Sequence, residues 1–218
     1  MNVTFAYDPS REVGPLQYGL GSSFEQTPTS FAEEVQAAEI DFASEEQVAA
    51  FVLAKIKREG IDTMALVTDF TKDWKPIEPE ATTRFKRIFQ TDWDPGEVTA
   101  YLTLSTRCPY SLKGRYYFVS MAWKGHKAAI NTSLHELIHF YTHELIEPMF
   151  IEANIQPRFG DFKEALSVLL NLECADLLDG KDQGYHKHQE LRQEITEQWQ
   201  DKNDVYAIAK EYIKSTAK

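Results

Sequence analysis

Two histidines four residues apart, His135 and His139, lie in a stretch whose apolar side chains recur with a helical period. Ile130, Leu134, Leu137, Ile138, Tyr141 and Leu145 fall on one arc of a helical wheel. This predicts a helix from Ala129 to Glu147, stopped by Pro148. Positions four apart share a helical face, so both imidazoles can reach one metal ion at about 2.0–2.1 Å. Thr132 and Thr142 join the histidines on a second arc, which predicts a polar face separate from the core face. Glu136 lies about 100° round the axis from His135, beside such a metal rather than on it. That position suits a base acting on metal-bound water. The run His135-Glu136-Leu137-Ile138-His139 is HExxH, a zinc-binding pattern when a helix carries it. The bland reading of the same spacing is a pair of hydrogen-bonded histidines with no metal.

A catalytic zinc keeps three protein ligands and one open position. After His139 the chain reads FYTHELIEPM, so no third histidine follows at the HxxGxxH spacing. The next helix, expected from Asp161 to Leu178 with Gly180 beyond its end, offers Glu164 and Glu173. Glu164 shares its face with Ser167, Val168, Asn171 and Ala175, a small and polar strip that lets a second helix approach closely. Glu173 points the other way, among Leu166, Leu169 and Leu177. Glu164 is therefore the expected third ligand. Asp161 and Glu164 also fit a capping box, in which Glu164 only satisfies a helix start.

The rest of the chain sets the frame. Its 218 residues, 43% hydrophobic and 26% charged, suit a globular domain with a sizeable core. A net charge of −11 argues against a nucleic-acid partner and against binding to an anionic membrane surface. No run reaches the roughly 18 apolar residues of a membrane span. The opening residues, MNVTFAYDPSREVG, lack the pattern of a signal peptide. Two cysteines, Cys108 and Cys174, fit a reduced, cytoplasmic protein. Residues 1–30 hold a short strand, Val3 to Tyr7, and then a Gly/Ser/Thr/Pro-rich stretch, and read as an extended arm. Ser44 and Gly60 bracket a helix from Glu45 to Glu59, and Pro79 starts another, whereas Ile61 to Trp74 is ambiguous. Val98 to Ser105 and Arg115 to Trp123 read as two antiparallel strands. Two further helices, His188 to Gln200 and Asp204 to Ser215, follow the glutamate helix. The expected class is α+β, a small antiparallel sheet followed by the HExxH helix, the glutamate helix and further C-terminal helices.

HELIH on one helix and a glutamate in KEALSVLLN on the next resemble the gluzincin class of zinc metallopeptidases. The short chain and the strand pair before the metal helix are most similar to the small single-domain minigluzincins. The resemblance covers roughly residues 98–180 and implies a single zincin-like catalytic domain over 31–218. It implies Zn2+ held by His135, His139 and Glu164, with Glu136 as the base that takes a proton from zinc-bound water and passes it to the leaving amine. It also implies a Tyr or His that stabilises the oxyanion, for which Tyr185 and His186 are the candidates, ahead of His188. His143 either borders the site or is a surface histidine beside Glu147. Many gluzincins carry an acidic residue four positions after the ligand glutamate; here that position is Val168, and Asn171 on the same face is the substitute hydrogen-bond donor or acceptor. The resemblance makes the strand RYYFVSMAW the cleft rim, whose free edge pairs with a peptide or protein substrate; the bland reading of its aromatic side chains is core packing. Two other functions compete: a zinc-stabilised binding or regulatory module with little or no turnover, and a metal-free helical interaction protein.

Overall fold

The computed structural model describes residues 1–16, 30–41, 43–121 and 126–216. The glycine- and serine-rich part of the expected arm lies outside the described residues, as do Ala122 to Gly125. The class is α+β: a small four-stranded mixed sheet accompanied by many helices. The chain divides into two compact units. One comprises residues 2–76 and 97–133, the other Met1, 77–96 and 134–218.

The first unit holds the sheet. Strand β1 (Asn2–Ala6) alternates exposed and buried residues, with Val3 and Phe5 inward. It is a paired strand of the sheet, in parallel register with β2 (Glu97–Thr103) from Asn2↔Glu97 to Ala6↔Tyr101. Helices α1 (Ser30–Ala37) and α2 (Glu45–Glu59) form a core with Leu16 and Leu104, through Phe31, Val35, Val48, Val52 and Ile56. The start and stop of α2 fall where its caps put them. Ser44 accepts from the Gln47 amide, and Gly60 takes the left-handed conformation at φ 65°. The ambiguous segment is α3 (Thr63–Trp74), capped by Asp62, and its Phe70 meets Phe5 edge-on.

The expected antiparallel pairing is corrected. Strand β4 (Tyr116–Ser120) runs parallel to β2, from Thr99↔Tyr116 to Thr103↔Ser120. Between them in sequence lies a two-residue strand, β3 (Tyr110–Ser111), which the propensity pattern did not separate from its loop. The turn signal at Lys113-Gly114 marks a real hairpin, but its first strand is β3. The chain leaves β2, crosses to the outer edge, and returns as β4 between β2 and β3, giving the order β1-β2-β4-β3. Strand β3 consequently covers part of the β4 edge expected to be free: Tyr110 and Ser111 face Tyr117 and Tyr116, and the Phe118 amide donates to the Pro109 carbonyl.

The second unit is helical. Helix α4 (Glu78–Ile88) sends Phe85 against Tyr141, which also stacks on Phe89 and meets Trp93 edge-on. Helix α5 (His126–Leu145) carries HExxH; its first eight residues belong to the first unit and the remainder to the second. It ends at Leu145, and Pro148 sits in the first turn of a separate helix, α6 (Glu147–Glu152), where its missing N–H costs nothing. The expected long glutamate helix is two short ones, α7 (Phe159–Leu166) and α8 (Leu169–Glu173). The break is local: the amides of Val168, Leu170 and Asn171 bond three residues back instead of four, and the Ser167 hydroxyl bonds the Glu164 carbonyl. Helices α9 (Gln189–Lys202) and α10 (Val205–Thr216) bury Ile195, Trp199, Val205 and Ile208. Among the described residues, no helix is long and apolar enough to cross a membrane.

Candidate metal centre

Helix α5 presents His135 and His139 from successive turns, as their spacing requires. The sector holding them is not a solvent-facing polar face. His139 is 1% exposed, Glu136 8% and Thr142 0%, while Leu134, Leu137, Ile138 and Tyr141 are wholly buried. The polar sector is interior because α7 supplies Glu164 to it and the loop before α9 supplies Asp182. Buried polar groups of this kind need partners: His135 and His139 face each other and Glu164, and the Thr142 hydroxyl donates to the Ile138 carbonyl.

Three atoms converge. His135 Nε2 and His139 Nε2 are 3.1 Å apart, and Glu164 Oε2 is 3.6 Å from each. A triangle with these sides has a point about 2.0 Å from all three corners, the bond length zinc takes to imidazole nitrogen and carboxylate oxygen. Two imidazoles and a carboxylate that can each offer one atom to a shared centre fit a metal ion. Two ring nitrogens this close need a proton or a metal ion between them.

Asp182 fixes the outer side of His135. Its Oδ2 lies 2.6 Å from His135 Nδ1. An ionised carboxylate only accepts, so Nδ1 carries a proton and Nε2 is the nitrogen turned toward the centre. Asp182 is itself held on several sides. Arg192, 4% exposed, donates to Asp182 Oδ1 and to its carbonyl, and to Ser167 Oγ. Asn171 clamps the Asp182 backbone, donating to its carbonyl and accepting from its amide, both at 2.8 Å. Asn171 thus serves the site one step further out than the sequence suggested: it positions Asp182, and Asp182 meets the ring.

The charges follow from this geometry. Burial pulls His135 down, but Asp182 and Glu164 outweigh it and push the ring up to about 10. Burial, then the Lys163 charge, draws His139 down to about 3. Burial opposes ionisation of Glu164, yet the two histidines close to Oε2 hold it far below the usual carboxylate range. Glu136 is pushed up to about 7, chiefly by burial. It makes no hydrogen bond to another described residue, so its carboxylate is uncommitted.

The other candidates separate cleanly. Glu173 accepts from Arg87 and from Trp199 Nε1, away from the histidines. Asp161 is not a cap; it accepts from Lys187 Nζ and pairs with His188 Nε2, and α7 begins two residues before it. His143 pairs with Glu147 at 2.7 Å and rests its ring on Phe159. Tyr185 is 42% exposed and packs edge-on against His188, and His186 is exposed in the short 3-10 turn that follows. The structure brings His135, His139 and Glu164 together, with Glu136 beside them on α5, and does not bring Tyr185 or His186 into that three-donor group. Asp182, Arg192 and Lys163 escaped the sequence reading. The signal for Asp182 was its place in DGKDQG, where Gly180 and Gly184 both take positive φ and bend a loop around it. Comparison with known protein families, curated proteins and solved structures finds no significant match to this chain.

Proposed function

We propose that this protein is a zinc-dependent hydrolase that cleaves peptide bonds at the His135, His139 and Glu164 centre. The observation that carries the reading is the triangle of donor atoms with a common point at zinc-ligand distance. The mixed nitrogen and oxygen donor set favours zinc over calcium or magnesium, which take oxygen cages. When bound there, zinc lowers the pKa of a water toward 7 and polarises a carbonyl. The chain's own residues supply the rest. Asp182 holds the His135 tautomer and ring angle. Glu136, buried and uncommitted, takes the proton of the attacking water and delivers it to the leaving amine. An extended peptide or protein segment is the substrate class that the HExxH chemistry and the gluzincin resemblance suggest.

A second reading has its own support. The expected oxyanion donors are exposed, with Tyr185 packed on His188, which favours a metal-stabilised module with little turnover. One experiment separates the two. Purified protein is assayed for metal content and for cleavage of an unstructured peptide, alongside Glu136→Gln. The hydrolase predicts about one zinc per chain and a loss of about 10²-fold or more in cleavage with zinc retained in the variant. Zinc without cleavage in either protein selects the module, and equal cleavage in both rejects Glu136 as the base.

A further inference from the structure

The two oxygens of Glu164 have different partners. Oε2 is the atom that faces both histidines, at 3.6 Å from each Nε2. Oε1 is held by the neighbouring ammonium: Lys163 Nζ lies 2.7 Å away. The Lys163 side chain is only 11% exposed, so this pair is shielded from water. A buried ammonium is costly to place and persists where a specific anion meets it. Here it sits next to the centre that the proposed function gives a cation, where electrostatics alone disfavour it.

From this division we propose that Lys163 is a positioning residue that restricts Glu164 to one-oxygen ligation. A carboxylate can bind a metal through one oxygen or both. With Oε1 occupied, only Oε2 is offered, the protein contributes three donor atoms, and the remaining coordination position stays open for water or substrate. The inference rests on the metal-centre reading above and adds to it the reason the centre stays three-coordinate in protein atoms.

The proposal predicts an effect opposite in sign to that of a structural lysine. Removing the ammonium frees Oε1 to bind and removes a like charge beside the metal, so metal affinity rises. A merely structural residue, when lost, loosens the site and affinity falls. The test uses Co2+ as the probe, because its visible absorption weakens as coordination number increases. Full-length protein, Lys163→Met, Lys163→Gln and Lys163→Arg are titrated with Co2+, with folding checked by circular dichroism. The two neutral variants, one apolar and one polar, guard against a single misfolded protein. We expect the neutral variants to bind Co2+ about tenfold more tightly, with the band per bound cobalt weakened by about twofold or more, and Lys163→Arg to match the parent. Neutral variants whose band and affinity equal the parent's, or whose affinity falls, overturn the proposal while leaving the metal centre intact. A parent protein that takes up no Co2+ removes the metal centre and this inference together.

Discussion

A carboxylate bonded to the outer nitrogen of a metal-facing histidine fixes the ring's tautomer and strengthens its lone pair. Asp182 has that position toward His135, although it lies in a loop 47 residues away in sequence. Its own ionisation is protected: burial opposes it, but the His135 ring outweighs burial and keeps the carboxyl below its ordinary value. Asp182→Asn keeps the shape and an acceptor oxygen while deleting the charge. We expect its metal affinity to drop about 10–100-fold with helix content unchanged, measured by competition with a chromogenic chelator. Unchanged affinity would mean the ring is oriented by its packing alone. The legibility of these residues follows from periodicity. His135, His139 and Glu164 sit on helices, where spacing converts directly into a face. Asn171 was legible as a polar residue on the Glu164 face, but not its partner, because that partner is the Asp182 backbone. Lys163 is adjacent to Glu164 and falls off that face on any helical wheel, so only the side-chain path shows that it reaches Oε1.

At the scale of elements, legibility depended on how local the determining interactions are. Helix α2 was readable to its ends because Ser44 and Gly60 act within one turn. Even there the capping box is altered: the Gln47 side chain accepts from the Asp41 amide rather than from Ser44. The sheet was misread because a two-residue strand leaves no alternation to detect, and the parallel register depends on it. The loop between α8 and α9 is a third case, set by backbone conformation and one close approach. Gly180 (φ 82°) and Gly184 (φ 59°) both occupy the left-handed region, and they differ in surroundings. A Cβ on Gly180 meets nothing within 4 Å, whereas one on Gly184 comes within 2.5 Å of Arg192 Nη1. Gly180→Ala should therefore cost only the backbone term, about 1–2 kcal/mol in urea unfolding, with metal affinity unchanged. Gly184→Ala should cost more and weaken metal binding in the manner of Asp182→Asn, because the displaced guanidinium releases Asp182. Equal behaviour of the two variants would show that Arg192 does not transmit position to the centre.

For the molecule as a whole, a charge of −11 spreads over many carboxylates, most of them at the surface, and their mutual repulsion opposes the compact state at neutral pH. Surface pairs such as Arg58 with Glu34 and Glu59 offset little of this, because exposed ion pairs contribute about 0–1 kcal/mol. One acidic residue acts in the same direction from inside. Glu12 is 0% exposed, accepts from the Thr103 hydroxyl and the Leu104 amide, and so closes the end of β2. Burial pushes its carboxyl up to about 7, against a weaker downward pull from those two bonds. An unfolded chain ionises this group near 4.5. Between those values the folded state holds a proton that the unfolded state has released, so folding takes up a proton and stability falls as pH rises. The contribution is fully present below about pH 4.5 and lost by about pH 7, a change of about 3 kcal/mol. Glu12→Gln retains an acceptor and cannot ionise. Urea unfolding of both proteins at pH 5 and pH 7.5 isolates this group, since the other carboxylates are common to the two. We expect the parent to lose about 2–3 kcal/mol relative to Glu12→Gln across that interval. A difference between the proteins that stays constant with pH would place the Glu12 carboxylate in contact with water, and the pH dependence of this protein would then belong to its surface alone.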